Sequence, residues 1–243
     1  MDRIAAVTGA AGGMGRAIVA RLVADGLVVA ALDRDADGLA DLASLHADRL
    51  LPCPLDLMDA DAIRSTFARI EGELGGPDVL VNNAGTCLMS AFPDIPDGEL
   101  DAQIRLNFSA AFHCAQAAVP RMLARPGVKK IVNISSNGAY NFDVFDPPHY
   151  RASTAALDTL TKDLARRYAR DRIAVNSLAP AMTETPLFDV VSAEVLAAAI
   201  AQMPHGRAMQ PAEIAAWVGF LVSPAGDVSS GNVIILNQGR DVR

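Results

Sequence analysis

The chain has 243 residues, 51% of them apolar and 20% charged, with a formal net charge of -7. That balance supports a large buried core and excludes a disordered chain. With Lys129 and Lys130 as its one lysine pair, an acidic chain makes a poor partner for nucleic acid or anionic lipid.

Three cysteines, Cys53, Cys87 and Cys114, lie far apart with no Cys/His cluster near them. The pattern gives no metal site and fits a reducing, cytoplasmic setting. The opening residues run straight into a strand and a glycine loop, without a signal-peptide layout. Arg21, Asp25 and Asp33 break the apolar stretches, so no membrane span is expected.

In chain order, short apolar runs alternate with helical patterns. Residues 3–8, 27–33, 49–56, 78–82, 129–135, 172–179 and 232–236 read as strands. They are rich in Val and Ile and apolar on both faces, as buried parallel strands are. Between them, residues 14–25, 36–46, 59–73, 98–124, 149–170 and 211–222 read as helices. This alternation predicts an α/β fold, a doubly wound parallel sheet of about seven strands with helices on both faces. No repeat or linker divides it, so one domain over 1–243 is expected. Residues 136–148 and 180–210 read as irregular, and ligands in such folds bind beyond the carboxyl ends of the strands.

"VTGAAGGMGRAI" follows the first strand and opens the first helix. Glycines there let backbone N–H groups approach a phosphate, and a helix N-terminus favours its charge. The usual GxGxxG fingerprint is not met, because Ile18 stands in place of its last glycine. Taken alone, the loop also reads as a tight strand–helix turn. Asp33 closes the second strand, 18 residues after Gly15. A carboxylate there accepts both ribose hydroxyls of adenosine and repels a 2′-phosphate. It also reads as a cap for the helix near Ala36. Arg34 cuts the other way, since it can reach a 2′-phosphate. The balance favours NAD over NADP.

Together these residues resemble the short-chain dehydrogenase/reductase family. Thr8, Gly9, Gly13 and Gly15 meet its TGxxxGxG pattern, and Met14 lies within it. "VNNAG" supplies Asn83, Ala84 and Gly85, and "LDLMD" supplies Asp56 and Leu57 at the adenine position. "LNF" gives Asn107, "IVNISS" gives Ser136, "HYRAS" gives Tyr150, and "APAMTET" gives Pro180 and Thr185. The motifs run in order from residue 3 to about 239.

The resemblance implies a Rossmann-type fold, a nicotinamide cofactor, a homotetramer, and hydride transfer between a carbinol carbon and the nicotinamide ring. It implies Tyr150 as general acid/base, Ser136 as a hydrogen-bond partner of the substrate oxygen, and Asn107 as a break in its helix that holds a relay water. Singly, each has a plainer reading: Ser136 capping a turn, Tyr150 half-buried, Asn107 facing water. The main departure is Thr154, where the family has a lysine that binds the nicotinamide ribose and lowers the tyrosine pKa. Arg151 and His149 flank the tyrosine but diverge from it by about 100° around the helix. Three readings follow: an NAD-dependent alcohol/ketone oxidoreductase with a modified tetrad, a Ser–Tyr site polarising an activated C=O, C=N or C=C bond, or an NAD-binding protein without turnover. The substrate loop around residues 183–207 is largely apolar, which favours an apolar or uncharged substrate.

Overall fold

Strands that are apolar on both faces must be covered on both, and the core divides accordingly. In the computed structural model, which describes residues 2–142, 146–186 and 192–241, seven parallel strands form one sheet. They are β1 (Ile4–Thr8), β2 (Val28–Asp33), β3 (Leu50–Pro54), β4 (Val79–Asn82), β5 (Lys129–Ile134), β6 (Ile173–Pro180) and β7 (Val233–Leu236). Their order is β3-β2-β1-β4-β5-β6-β7. The helices are α1 (Gly13–Ala24), α2 (Ala36–Leu45), α3 (Ala60–Leu74), α4 (Asp97–Ile104), α5 (Ala110–Leu123), α6 (Pro148–Tyr168), α7 (Ala193–Ala201) and α8 (Pro211–Val222).

Successive strand residues serve opposite faces. Ile4 and Ala6 of β1 join the core under α3 and α5, while Ala5 and Val7 join the core under α1, α2 and α8. Phe67 of α3 is fully buried in the first. Cutting such a ring back to Ala costs roughly 3–5 kcal/mol.

Two expectations are refined. The pattern over 98–124 is not one α-helix: a π-helical turn, Arg105–Ser109, separates α4 from α5. Asn107 sits at its centre, and its side chain bonds outside the helix. Second, 180–210 is not wholly irregular, because α7 lies within it. The Ser192 hydroxyl accepts from Val195 N, and Glu194 occupies the first turn. That cap was visible in the sequence, but an apolar run with little polar alternation hid the helical period. The one lysine pair, Lys129 and Lys130, lies inside the protein. Both are buried, with Lys130 Nζ 2.7 Å from Asp227 and Lys129 Nζ donating to the carbonyl of Gly127 at 2.8 Å.

Candidate active site

Strand order reverses between β1 and β4, and it is beyond the strand ends at such a switch point that ligands bind in open α/β sheets. Thr8 ties the two sides of the switch point together: its Oγ1 accepts from Asn83 N at 3.0 Å and Ala84 N at 3.1 Å. Asn83 Nδ2 returns bonds to the carbonyls of Thr8 (3.0 Å) and Gly9 (3.1 Å). Gly9 has φ +64°, and a Cβ there would lie 2.8 Å from Ala84 Cα. A Cβ on Gly15 would lie 1.9 Å from the Gly9 carbonyl oxygen. Glycine is required at both positions. Across the loop, Thr185 and Pro186 approach Gly13, where a Cβ would come within 3.0 Å of Pro186 Cδ.

The residues present fit a dinucleotide. Helix α1 starts at Gly13 with no side-chain cap and no acid in its first turn, so no side chain of its own occupies the N–H groups at its start. Asn83 Oδ1 is buried with no partner among the described residues. Gly85 lies against Asn107, with its missing Cβ 3.4 Å from Asn107 Oδ1.

Asp33 ends β2, and its two oxygens accept from Ala11 N (2.9 Å) and Asp35 N (3.1 Å). The cap of α2 is Asp35, which accepts from Gly38 N at 2.9 Å. Asp33 therefore braces the glycine loop, a role the sequence did not suggest. Arg34 is exposed beside it. Arg16, which sequence reasoning passed over, donates to the carbonyls of Ala11 (2.8 Å) and Gly38 (3.3 Å) and joins loop to helix. Asp56 borders an open cavity with Met58, Asp59 and Arg105, while Leu57 is buried in the core. Pro180 is the last residue of β6.

Ser136, just past β5, is buried, and its Oγ accepts from Gly138 N at 3.0 Å. Its plainer reading as a turn cap is thus also met. Ser136 lies near enough to Tyr150 for its hydroxyl to favour the phenolate. Burial pushes the Tyr150 phenol well above its usual range, the nearby Cys87 adds to this, and Ser136 opposes it. Asn107 is buried rather than facing water. It accepts from Thr86 N (2.9 Å) and donates to Thr86 O (2.8 Å) and Ser153 Oγ (3.1 Å). Thr154 is buried one turn after Tyr150. Arg151 and His149 do point away from the phenol. Arg151 donates to the carbonyls of Asp146 (2.9 Å) and Gly138 (3.0 Å), and His149 Nε2 lies 3.1 Å from Glu99.

A family model described as Enoyl-(Acyl carrier protein) reductase matches residues 9–241. The chain belongs to the short-chain dehydrogenase/reductase family. It is 34% identical to a cis-4-hydroxycyclohexanecarboxylate dehydrogenase of Sinomonas cyclohexanicum, over 98% of this chain and 96% of the relative. It is 31% identical to a 3-oxoacyl-acyl-carrier-protein reductase FabG of Thermotoga maritima, over 98% of this chain and 97% of that one. Among solved structures, a short-chain type dehydrogenase/reductase from Mycobacterium marinum superposes with TM-score 0.94 at 29% identity, covering 99% of this chain and 96% of its own. A 3-ketoacyl-(acyl-carrier-protein) reductase from Brucella melitensis, solved with NADH, gives TM-score 0.92 at 25% identity, covering 99% and 98%. As a short-chain dehydrogenase/reductase, the chain has oxidoreduction as its family-level chemistry and a nicotinamide as its family-level cofactor. No helix among the described residues is long and apolar enough to cross a membrane.

One part of this short-chain dehydrogenase/reductase site was not foreseen. The C-terminal residues Asn237–Asp241 fold against Asn137, next to Ser136. Asn137 Nδ2 donates to Asp241 Oδ2 at 3.0 Å, and Asn237 Nδ2 donates to the Asp241 carbonyl at 3.1 Å. Tail residues with no periodic pattern give no sequence signal for such docking.

Proposed function

We propose that this chain is an NAD(H)-dependent oxidoreductase that interconverts a secondary alcohol and a ketone. The observation that carries the reading is the placement of Tyr150, near the start of α6, close to Ser136, just past the carboxyl end of β5, on the same edge of the sheet as the glycine loop. A bound nicotinamide would accept or supply the hydride. Gly9, Gly13, Met14, Gly15, Asn83, Ala84, Gly85, Pro180 and Thr185 would hold it with its pyrophosphate, and Asp33, Arg34, Asp56 and Leu57 would border its adenosine. Ser136 would orient the substrate oxygen, and Tyr150 would give or take the proton at that oxygen. Because burial keeps the phenol protonated, Tyr150 suits proton donation, hence carbonyl reduction, at neutral pH. Asn107 would hold the helix interruption that shapes the site rather than complete a lysine relay.

Thr154 supports a second reading, NAD binding without turnover, because it brings no charge to the phenol or the ribose. Cofactor titration with NADH and NADPH, combined with turnover over a panel of ketones and alcohols, separates the two. Tight NADH binding with no turnover over the panel favours the second reading.

We also propose a homotetramer or other homo-oligomer in the cytoplasm acting on an apolar or uncharged small molecule. Exposed Phe112 and Leu123 on α5 and Trp217 and Phe220 on α8 are the kind of surface that obligate interfaces cover. Sedimentation at micromolar concentration tests it.

A further inference from the structure

Glu99, Gln103 and Asn107 are spaced four residues apart across α4 and the π-turn, so they line one helical face. Each bonds to the segment that follows the glycine of "NNAG". Asn107 holds both backbone groups of Thr86. Gln103 Oε1 accepts from Leu88 N at 2.9 Å, and its amide donates to the Thr86 carbonyl. Glu99 accepts from Ser90 N at 3.1 Å and Ser90 Oγ at 2.6 Å. Residues 86–90 therefore run antiparallel to the helix, with every second residue bonded to it. Cys87, on the alternate register, comes close enough to raise the Tyr150 phenol.

The same helical face grips α6 on both sides of Tyr150. At one end Glu99 Oε1 lies 3.1 Å from His149 Nε2, and His149 directly precedes Tyr150. At the other, Asn107 Nδ2 donates to Ser153 Oγ, which donates to the Tyr150 carbonyl at 2.8 Å. The Ser90 bonds favour the Glu99 carboxylate, which can only accept, so the pairing takes Nε2 of His149 as the donor. His149 is buried, and its Nδ1 has no partner among the described residues. Glu99 is thus the polar anchor of this ring.

We propose that Glu99 and His149 are positioning residues, a half-buried carboxylate paired with a buried imidazole, that fix the Tyr150 end of α6 against the 86–90 segment and so set the phenol against Ser136. This rests on the reading of Tyr150 as acid/base. A displacement of about 1 Å at a reacting group costs up to about a hundredfold in rate, so the pair matters without touching substrate.

The test compares His149→Leu, His149→Gln and Glu99→Gln with wild type and Tyr150→Phe. His149→Gln restores an N–H donor toward Glu99, whereas Leu cannot. In His149→Leu, kcat should fall about tenfold or more while the Kd for NADH stays within about twofold, and His149→Gln should recover most of kcat. Independently of turnover, NMR of 13Cζ-labelled tyrosine, with the Tyr150 signal assigned through Tyr150→Phe, should show that signal moved in His149→Leu and returned in His149→Gln. An unmoved Tyr150 signal in His149→Leu and Glu99→Gln overturns the positioning role. Wild-type turnover in Tyr150→Phe overturns instead the acid/base reading on which it rests. Circular dichroism guards against an unfolded Leu variant, and Glu99→Gln then carries the comparison.

Discussion

Thr154 Oγ1 lies 3.2 Å from the carbonyl oxygen of Tyr150 and 3.1 Å from that of Arg151, so its hydroxyl is engaged with the helix that carries it. A threonine bonded back in this way adds no charge beside the phenol and satisfies itself locally. The phenol is left with burial and the nearby Cys87 raising its pKa and Ser136 opposing them. Rates that need the phenolate should therefore rise with pH, while those that need the phenol should hold through neutrality. Thr154→Lys should move the pH profile of alcohol oxidation downward by about one unit, or about 1.4 kcal/mol. Steady-state rates between pH 6 and 10 check this, and an unmoved profile with intact NADH binding rejects it.

Removing the Tyr150 hydroxyl with Tyr150→Phe should abolish turnover and leave NADH affinity within about twofold, since a proton donor in the reaction is lost but no cofactor contact of comparable strength. Isothermal titration alongside a rate assay measures both. Retained turnover would assign the proton to another group.

Asp33 supports two outcomes at once. It should repel a 2′-phosphate, and it holds Ala11 N at 2.9 Å. Asp33→Ala should therefore narrow the preference for NADH over NADPH, and should also weaken NADH binding by loosening the glycine loop. Asp33→Asn keeps an acceptor for Ala11 and drops the charge, so it should narrow the preference with less loss of NADH. Dissociation constants for the four pairs settle it; equal affinities for both cofactors in wild type would falsify the NAD assignment.

Asp158 is buried on α6 and accepts from Ser177 Oγ at 2.6 Å and the Tyr140 hydroxyl at 2.9 Å. Burial raises its carboxyl above the usual range, against the opposing pull of those bonds. The folded state then holds this proton more tightly than the unfolded chain. The associated stability is present below the unfolded pKa and is lost as pH rises through the folded one. Asp158→Asn removes that dependence. The Tm of the variant minus that of wild type should increase from pH 4 upward, whatever its sign at pH 4. A pH-independent difference in calorimetry rejects the argument.

The three thiols should be inert in the folded protein. Burial pushes Cys53 up to about 11 and Cys87 and Cys114 up to about 12. At pH 8 a thiol of pKa about 12 is ionised to roughly one part in ten thousand, and the thiolate is the nucleophile. A disulfide-exchange reagent should label all three only on unfolding. Rapid labelling of Cys87 in the native state would mean that its surroundings open.

The seven strands were legible because each is a short run rich in apolar residues, a local property of composition, and the central strands β1 and β4 are buried on both faces. The glycine loop was legible for the same kind of reason: Gly9 takes a positive φ, and a Cβ on Gly15 would strike the nearby carbonyl of Gly9. Asn107 was flagged by its place in a motif, but its burial and its hold on Thr86 depend on a segment 21 residues away. Periodicity read 98–124 as one helix because a π-turn keeps the apolar face nearly continuous while shifting its register. Glu99 and His149 carried no signal at all, being 50 residues apart in the chain and 3.1 Å apart in space. The same holds for Asp241 and Asn137, separated by 104 residues. Hydrophobic pattern and backbone sterics act over a few residues, so the sequence determined the elements, the sheet and the glycine cradle. Hydrogen bonds between buried polar side chains form only once the elements are packed, so tertiary structure alone decided what brackets Tyr150 and where the hydroxyl of Thr154 goes.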